Sequence, residues 1–349
     1  MIKKKRINAY LINSNRCYLF LALTLILCAL FGKNTFTPYS INAVTGNNSL
    51  VMWIGLGFTI CLIAGHMDLS AMYVTTLGSL LSIGLHVETK LPWAVAILCT
   101  VLAGVVVGLI NGTLATYFKI PSFIVTLGMQ FVLRGVMYIL TDLLTGTAGK
   151  EMSIRKADNA FQSLLTDPVS QKLFPFCPYF LITTAVVFLV CIFRRSTRTG
   201  RNIYMVGGNL ETAWLAGIKS QQVTILAFVI SSTACALGGA LYGVYAGAAS
   251  ITMGEKGISP LMIALTATII GGTSIYGGKG SVIWTWVSLL AIAFLKSLFK
   301  KTEAQVLVIS IILIACIVYE TLVQYHRSKV IGTRPNLHLE YLTEKGAHH

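Results

Sequence analysis

About ten apolar runs divide this chain, at residues 17–34, 48–65, 70–87, 92–117, 121–144, 176–193, 222–247, 259–274, 280–299 and 303–324. A helix rises about 1.5 Å per residue, so roughly 20 apolar residues cross the ~30 Å hydrocarbon core of a bilayer. Backbone polar groups inside lipid must be paired within the segment, and runs of this length do so as helices. Only 11% of the 349 residues are charged and 55% are hydrophobic, with a mean hydropathy of +0.75. A soluble domain carries about 25% charge, so the soluble classes are excluded. The expected fold is all-α and polytopic, with about ten transmembrane helices. Short breaks at Gly65–Asp68 and around Lys119 leave open whether runs two and three, and runs four and five, are separate crossings or hairpins.

The net charge of +15 reads as topology. With the N-terminus inside, the cytoplasmic side receives Lys3–Arg6, Lys119, Arg194, Arg195, Arg198, Arg201, Lys279, Arg327, Lys329 and Arg334. An even number of crossings returns the C-terminus to the cytoplasm. The exception is the stretch 145–175, which mixes Lys150, Arg155, Lys156 and Lys172 with Glu151, Asp158 and Asp167 and is expected outside. Attraction to anionic lipid is a secondary effect, and no nucleic-acid partner is needed. The basic N-terminus followed by an apolar run has the form of a signal, but no small-x-small site follows, so the first run is expected to stay as a helix. The eight cysteines stand singly, mostly in apolar runs, with no CxxC pair; His66 and His86 lack partners at ligand spacing, so no metal site is expected.

Small residues mark where helices approach closely. Gly104, Gly108 and Gly112 recur every four residues in the fourth run, and Gly239, Gly243 and Gly247 in the seventh. Each trio is expected to make a flat packing stripe for another backbone. Charge inside the runs is scarce. Arg134 lies deep in the fifth, where an arginine costs about 2.5–3.5 kcal/mol on insertion scales. It either satisfies carbonyls between helices or lines a watery path. Asn111, Thr126 and Gln130 suit either interhelical hydrogen bonds or contacts to a neutral polyol. Asp68 and Ser70 are expected to cap the third run.

The most informative segment is polar. RRSTRTGRNIYMVGGNLETAWLAGI, from Arg194 to Ile218, carries Tyr204, Trp214 and Leu215 outside any span. Asn209 is placed to cap a short helix from about Leu210, Glu211 suits its first turn, and Gly217 its end. This pattern resembles the coupling loop of ATP-binding-cassette importer permeases, within them the ribose, xylose and galactose permease family. The matching residues are Gly200, Arg201, Ile203, Tyr204, Gly207, Gly208, Asn209, Glu211, Ala213, Gly217 and Ile218. Ordered similarity extends through GHMDLS (Gly65–Ser70), Gly108–Gly135 and the glycine-rich Ile269–Val282. Departures are Thr212 for an alanine, His66 and Met67 before Asp68, a non-acidic stretch at Ile258–Ala267, and Trp284 and Trp286 at positions where small residues are common.

The resemblance implies a permease domain over 1–329, with a coupling loop at 194–221, an external loop at 145–175 and a cytoplasmic tail at 330–349. It implies a multi-pass subunit of the bacterial inner membrane that imports a monosaccharide, pentose or hexose. Its partners would be ATPase subunits carrying the ATP and Mg, an extracytoplasmic sugar-binding protein and a second permease chain. ATPase coupling is assigned to Arg201, Gly207, Gly208, Asn209, Glu211, Ala213, Trp214, Gly217 and Ile218, and the pathway to Asn111, Phe123, Thr126, Gln130 and Arg134. The chain has no GxxxxGK[ST] loop, so ATP hydrolysis by that mechanism lies elsewhere. Three other readings stay open: an ion-coupled secondary transporter, a non-transporting scaffold, and an importer permease for a signal sugar or nucleoside.

Overall fold

Each apolar run lies in a helix, and proline, threonine and glycine decide where several of these helices begin and end. The computed structural model describes residues 2–32, 34–154, 160–166, 176–253, 259–299 and 302–331. In chain order the elements are α1 (Ile2–Phe31), α2 (Pro38–Ile63), α3 (Ala71–Thr89), α4 (Trp93–Thr116), α5 (Ser122–Thr145), β1 (Met152–Ser153), α6 (Ala160–Thr166) and α7 (Pro178–Ser196). They continue with α8 (Arg198–Gly208), α9 (Leu210–Leu215), α10 (Ser220–Ala246), β2 (Ala248–Ala249), α11 (Pro260–Ile270), α12 (Val282–Ser297) and α13 (Thr302–Ile331). The tail 330–349, with Arg334, lies almost wholly outside the described residues, as do Arg155, Lys156, Asp158, Asp167, Lys172 and Ile258.

The two doubtful breaks separate distinct helices. Gly65 (φ +85) turns the chain out of α2, and Lys119 (φ +54) precedes the Pro121 that opens α5. Helix α2 starts ten residues before its apolar run, because Thr37 accepts a bond from the Ser40 N–H (3.3 Å) and Pro38 sits at the first helical position. Among the described residues, five helices are long and apolar enough to cross a membrane unaided: α2, α4, α5, α7 and α10. Helix α3 is less apolar because it carries hydroxyls, which bond back to its own carbonyls (Thr75 to Ala71, Thr76 to Met72, Ser82 to Ser79). Helix α11 is the shortest of the helices that fill an apolar run. Its 11 residues rise about 16 Å, roughly half the hydrocarbon thickness, before Gly271 and Gly272 break it.

Helix α10 is the axis of the bundle and packs along α4, α3 and α2. The glycine stripe of α4 faces it: a Cβ on Gly108 would lie 2.6 Å from Val229 Cα, and one on Gly112 2.7 Å from Ile225 Cα. A Cβ on Gly104 would meet Ala236 Cβ at 2.7 Å. On its other side, Gly239 sits so close to α3 that a Cβ would fall 1.9 Å from the Thr75 carbonyl oxygen, and Gly243 abuts Ser79. The seam is reciprocal, since Gly78 of α3 lies against the Ala236 carbonyl at 2.3 Å by the same measure. Gly247 departs from the expected stripe: with φ +70 it is the C-cap that ends α10. Helix α2 is buried on nearly every side, whereas α4, α5 and α7 leave most of their length outward.

The loops gather at two ends. The 64–70, 117–121, 197–219 and 271–281 segments meet at one, as alternating crossings require. At the other, β1 pairs antiparallel with β2 (Met152 with Ala249), and Ile154 N–H donates to the Gly247 carbonyl at 3.0 Å. That ladder fastens the described part of the 145–175 loop to the end of α10.

Candidate functional site

Thr197 starts α8 by accepting the Gly200 N–H at 3.0 Å, immediately after α7 ends in Arg194 and Arg195. Gly200 permits so sharp a return: a Cβ there would lie 2.5 Å from Arg194 Cα. Helix α8 then buries Gly200, Ile203 and Val206 at three-residue spacing and exposes Arg201 and Met205. This helix is absent from the sequence reading, which placed structure only from Leu210. The 198–208 stretch carries three glycines and three charges or amides, a composition poor in helix formers, and packing supplies the difference.

Gly207 ends α8 against the bundle. A Cβ there would fall 1.8 Å from the Ile63 carbonyl oxygen and 2.9 Å from Gly278 N. That Ile63 carbonyl accepts the Gly278 N–H at 2.8 Å. Gly65, Gly207, Gly208, Gly277 and Gly278 thus form a junction in which three backbones touch with no side chain between them. Tyr204 and Arg194 close it from the side. The Tyr204 hydroxyl donates to the Gly280 carbonyl at 2.9 Å, Arg194 Nη1 donates to the same oxygen at 2.8 Å, and Arg194 also bonds the Tyr204 hydroxyl. Burial pushes the Tyr204 phenol up to about 12, against the pull of Arg194, so it keeps its proton near neutral pH. Gly207 therefore faces its own chain, and its side of α8 is unavailable to a partner.

Asn209 joins the two short helices. Extended at φ −161, it accepts the Thr212 N–H at 2.9 Å through its side chain and starts α9. The far end is a Schellman motif, with Gly217 N–H to the Trp214 carbonyl (2.9 Å) and Ile218 N–H to the Ala213 carbonyl (3.0 Å). Gly217 holds φ +76 with nothing within 4 Å of its Cβ position. Ala213 points inward at 1% exposure and seats α9 on Ile203, Val206 and Val223. Leu210, Trp214 and Leu215 point outward at 59%, 71% and 74% exposure, with Glu211 beside them. Arg201 stands apart at the start of α8, its Nη1 on the Arg195 carbonyl at 3.2 Å.

Behind the junction, the 65–70 loop is sewn to three helices. Asp68, fully buried, accepts the Ser70 N–H (3.1 Å) and hydroxyl (2.6 Å) on one oxygen and the Ser231 hydroxyl of α10 (2.9 Å) on the other. Burial pushes its carboxyl above the usual range, while these bonds draw it back. Ser70 is the N-cap of α3 by position, but its hydroxyl does not cap. It goes to Asp68 and accepts from Asn111 Nδ2 of α4 at 3.0 Å. Helix α5 holds the same loop, as Met67 N–H donates to Ser122 Oγ (3.3 Å) and Leu69 N–H to Thr126 Oγ1 (3.1 Å).

The five pathway candidates are therefore divided. Asn111 and Thr126 are fully buried in this lock and line no open surface. Phe123, Gln130 and Arg134 follow on α5 at spacings of seven and four, and are half-buried or exposed. Among the described residues no cluster of three or more metal-ligating side chains occurs.

Residues 40–317 match a protein family described as the permease component of the branched-chain amino acid transport system. The chain is 31% identical over 280 residues to the autoinducer 2 import system permease protein LsrD of Photorhabdus laumondii, covering 79% of this chain and 80% of that one. It is 29% identical over 284 residues to the protein of the same name from Yersinia enterocolitica, covering 79% and 81%. No solved structure matches it. The match runs from α2 into α13, through the glycine junction and the lock behind it. The chain therefore belongs to this permease family, as a multi-pass inner-membrane subunit of an ATP-binding-cassette importer.

Proposed function

We propose that α9 is the docking element for a cytoplasmic ATPase and that the chain imports a sugar-like solute. The observation that carries the docking is the exposure of Leu210, Trp214 and Leu215 on a helix capped at both ends and seated by Ala213. An apolar knob held rigid outside the spans suits a groove in a partner better than it suits water. The same end of the bundle carries Lys119, Arg194, Arg195, Arg198, Arg201 and Lys279. That charge bias favours the cytoplasm there, with both termini on that side.

Force on α9 has a short route into the bundle. The junction at Gly207 has no side chain to absorb displacement, so a shift of α8 presses on the end of α2 and on the 274–280 loop. The Asp68 lock extends that contact to α3, α4 and α10. ATP-driven closure of two ATPases would then bias the bundle between outward and inward states, to the extent that they bind one better. A second permease chain would cover the open side of α5, where Gly128 and Gly135 have nothing within 4 Å, and complete a path along Phe123, Gln130 and Arg134. An extracytoplasmic binding protein would deliver the solute to the 145–175 end. The relatives named for autoinducer 2 favour a signal sugar over the pentose or hexose expected from sequence.

Glu211→Lys and Gly217→Trp are each expected to abolish co-purification with the ATPase while membrane insertion persists; undiminished capture would refute the docking. Proteoliposomes holding the chain, its ATPase and its binding protein are expected to take up the solute only with ATP. Uptake driven by a proton or sodium gradient alone would overturn the importer mechanism.

A further inference from the structure

Where α7 leaves the bilayer, a basic mouth opens beside the glycine junction, sharing Arg194, Tyr204 and Gly280 with it, and away from α9. It is an open cleft of about 310 Å³, lined by Arg194, Arg195, Arg201, Tyr204 and Gly280. Three of the five lining residues are arginines and none is acidic. Arg195 and Arg201 are exposed, and Arg194 is fixed by its bonds to Tyr204 and the Gly280 carbonyl. Directly behind, Ile60, Val190, Phe193, Ile203 and Ile230 close into an apolar wall with only about 20 Å³ open between them, next to Arg194 and Tyr204 of the mouth. The outward face of α7 continues the apolar surface through Leu189 (63% exposed) and Ile192 (58%).

We propose that this composite surface binds an anionic phospholipid, its phosphodiester held by the three arginines and an acyl chain laid along Phe193, Ile192 and Leu189. Guanidinium forks match phosphate oxygens, and basic pockets at the ends of spans suit anionic headgroups. A soluble anion would use the mouth but leave the apolar α7 face unused. A carboxylate of the ATPase would approach at α9, which the 11-residue α8 sets about 16 Å further along. Binding a lipid here would brace Gly280, and so the junction, against α7. The inference needs only that α7 spans the membrane, and does not depend on the importer mechanism.

The test is lipid titration into the purified full chain in detergent, followed by native mass spectrometry. Phosphatidylglycerol is compared with phosphatidylcholine, in the wild type, Arg195→Gln, Arg195→Gln/Arg201→Gln, and Arg198→Gln, a basic neighbour outside the mouth. The expected result is preferential retention of phosphatidylglycerol by the wild type. It should weaken about fivefold in the single mouth variant and about twenty-five-fold in the double, at roughly fivefold per arginine, and by less than about twofold in Arg198→Gln. Millimolar inorganic phosphate should leave the adduct in place. Equal retention by all variants, or equal loss in Arg198→Gln, would overturn the site. Displacement by inorganic phosphate would replace the lipid by a free anion. Loss of ATPase capture in the double variant, with phosphatidylglycerol retention unchanged, would assign the mouth to the ATPase instead.

Discussion

The α10 seam and the α9 tip both depend on glycine, and in opposite ways. Gly239 is needed because there is no room: its missing Cβ would fall 1.9 Å from a backbone oxygen of α3. Gly217 is needed where there is ample room, with nothing within 4 Å, because its φ of +76 is costly for other residues. The seam holds helices in contact by removing side chains from between them. The tip presents side chains to the outside by fixing only its own two ends. Stability should therefore reside at the seam and partner recognition at the tip, and substitutions can separate the two.

The largest effect is expected from Gly239→Val. Overpacking of a close seam costs about 3 kcal/mol, and here the neighbour is a helix backbone that cannot swing aside. The chain should lose its sharp melting transition in detergent; a transition within a few degrees of wild type would show that the seam yields. Asp68→Leu should come next. Interhelical hydrogen bonds in membranes average only ~0.6 kcal/mol, but a buried donor left alone costs about 1–3 kcal/mol. This substitution strands the hydroxyls of Ser70 and Ser231, so a loss of about 2 kcal/mol is expected, with partial recovery in Asp68→Leu/Ser231→Ala. Failure of the second change to recover stability would separate Ser231 from the lock.

Asn209→Ala should remove about 1 kcal/mol from α9 alone. Faster hydrogen exchange at Thr212, with the bundle's melting unchanged, would register it. Trp214→Ala should be the mildest, within about 0.5 kcal/mol of wild type, because the ring is 71% exposed. Yet it should weaken ATPase capture more than Asn209→Ala does. If Trp214→Ala destabilised the bundle as Asp68→Leu does, the contrast between seam and tip would collapse.

Much of this was legible before any coordinates. The ten runs, the Asn209 cap, the Gly217 stop and the stripe glycines Gly104, Gly108, Gly112, Gly239 and Gly243 follow from local rules, in which the residue type and its near neighbours settle the conformation. The misses are of another kind. Helix α8 has poor intrinsic propensity and exists because Ile203, Val206 and Gly207 find partners on α2, α10 and the 274–280 loop. Gly247 continues a four-residue spacing yet ends its helix. Ser70 sits at a cap position, but Asp68 and Asn111 claim its hydroxyl. For α8 and for the Asn111 bond the deciding residues lie far away in the chain.

Composition alone determined that this protein lives in a membrane and crosses it repeatedly, since backbone groups in lipid have few ways to be satisfied. Short-range spacing determined that a capped helix stands outside the spans at Leu210–Leu215. Only the tertiary structure decided that Gly207 is an internal joint and not a contact for a partner, that Asn111 and Thr126 hold a loop, and that Arg194, Arg195 and Arg201 share one cleft. The physical reason is range. Helix formation and capping act over four or five residues, whereas the lock, like the joint, arises from contacts between distant segments, 41 residues apart for Asn111 and Ser70 and 163 for Ser231 and Asp68.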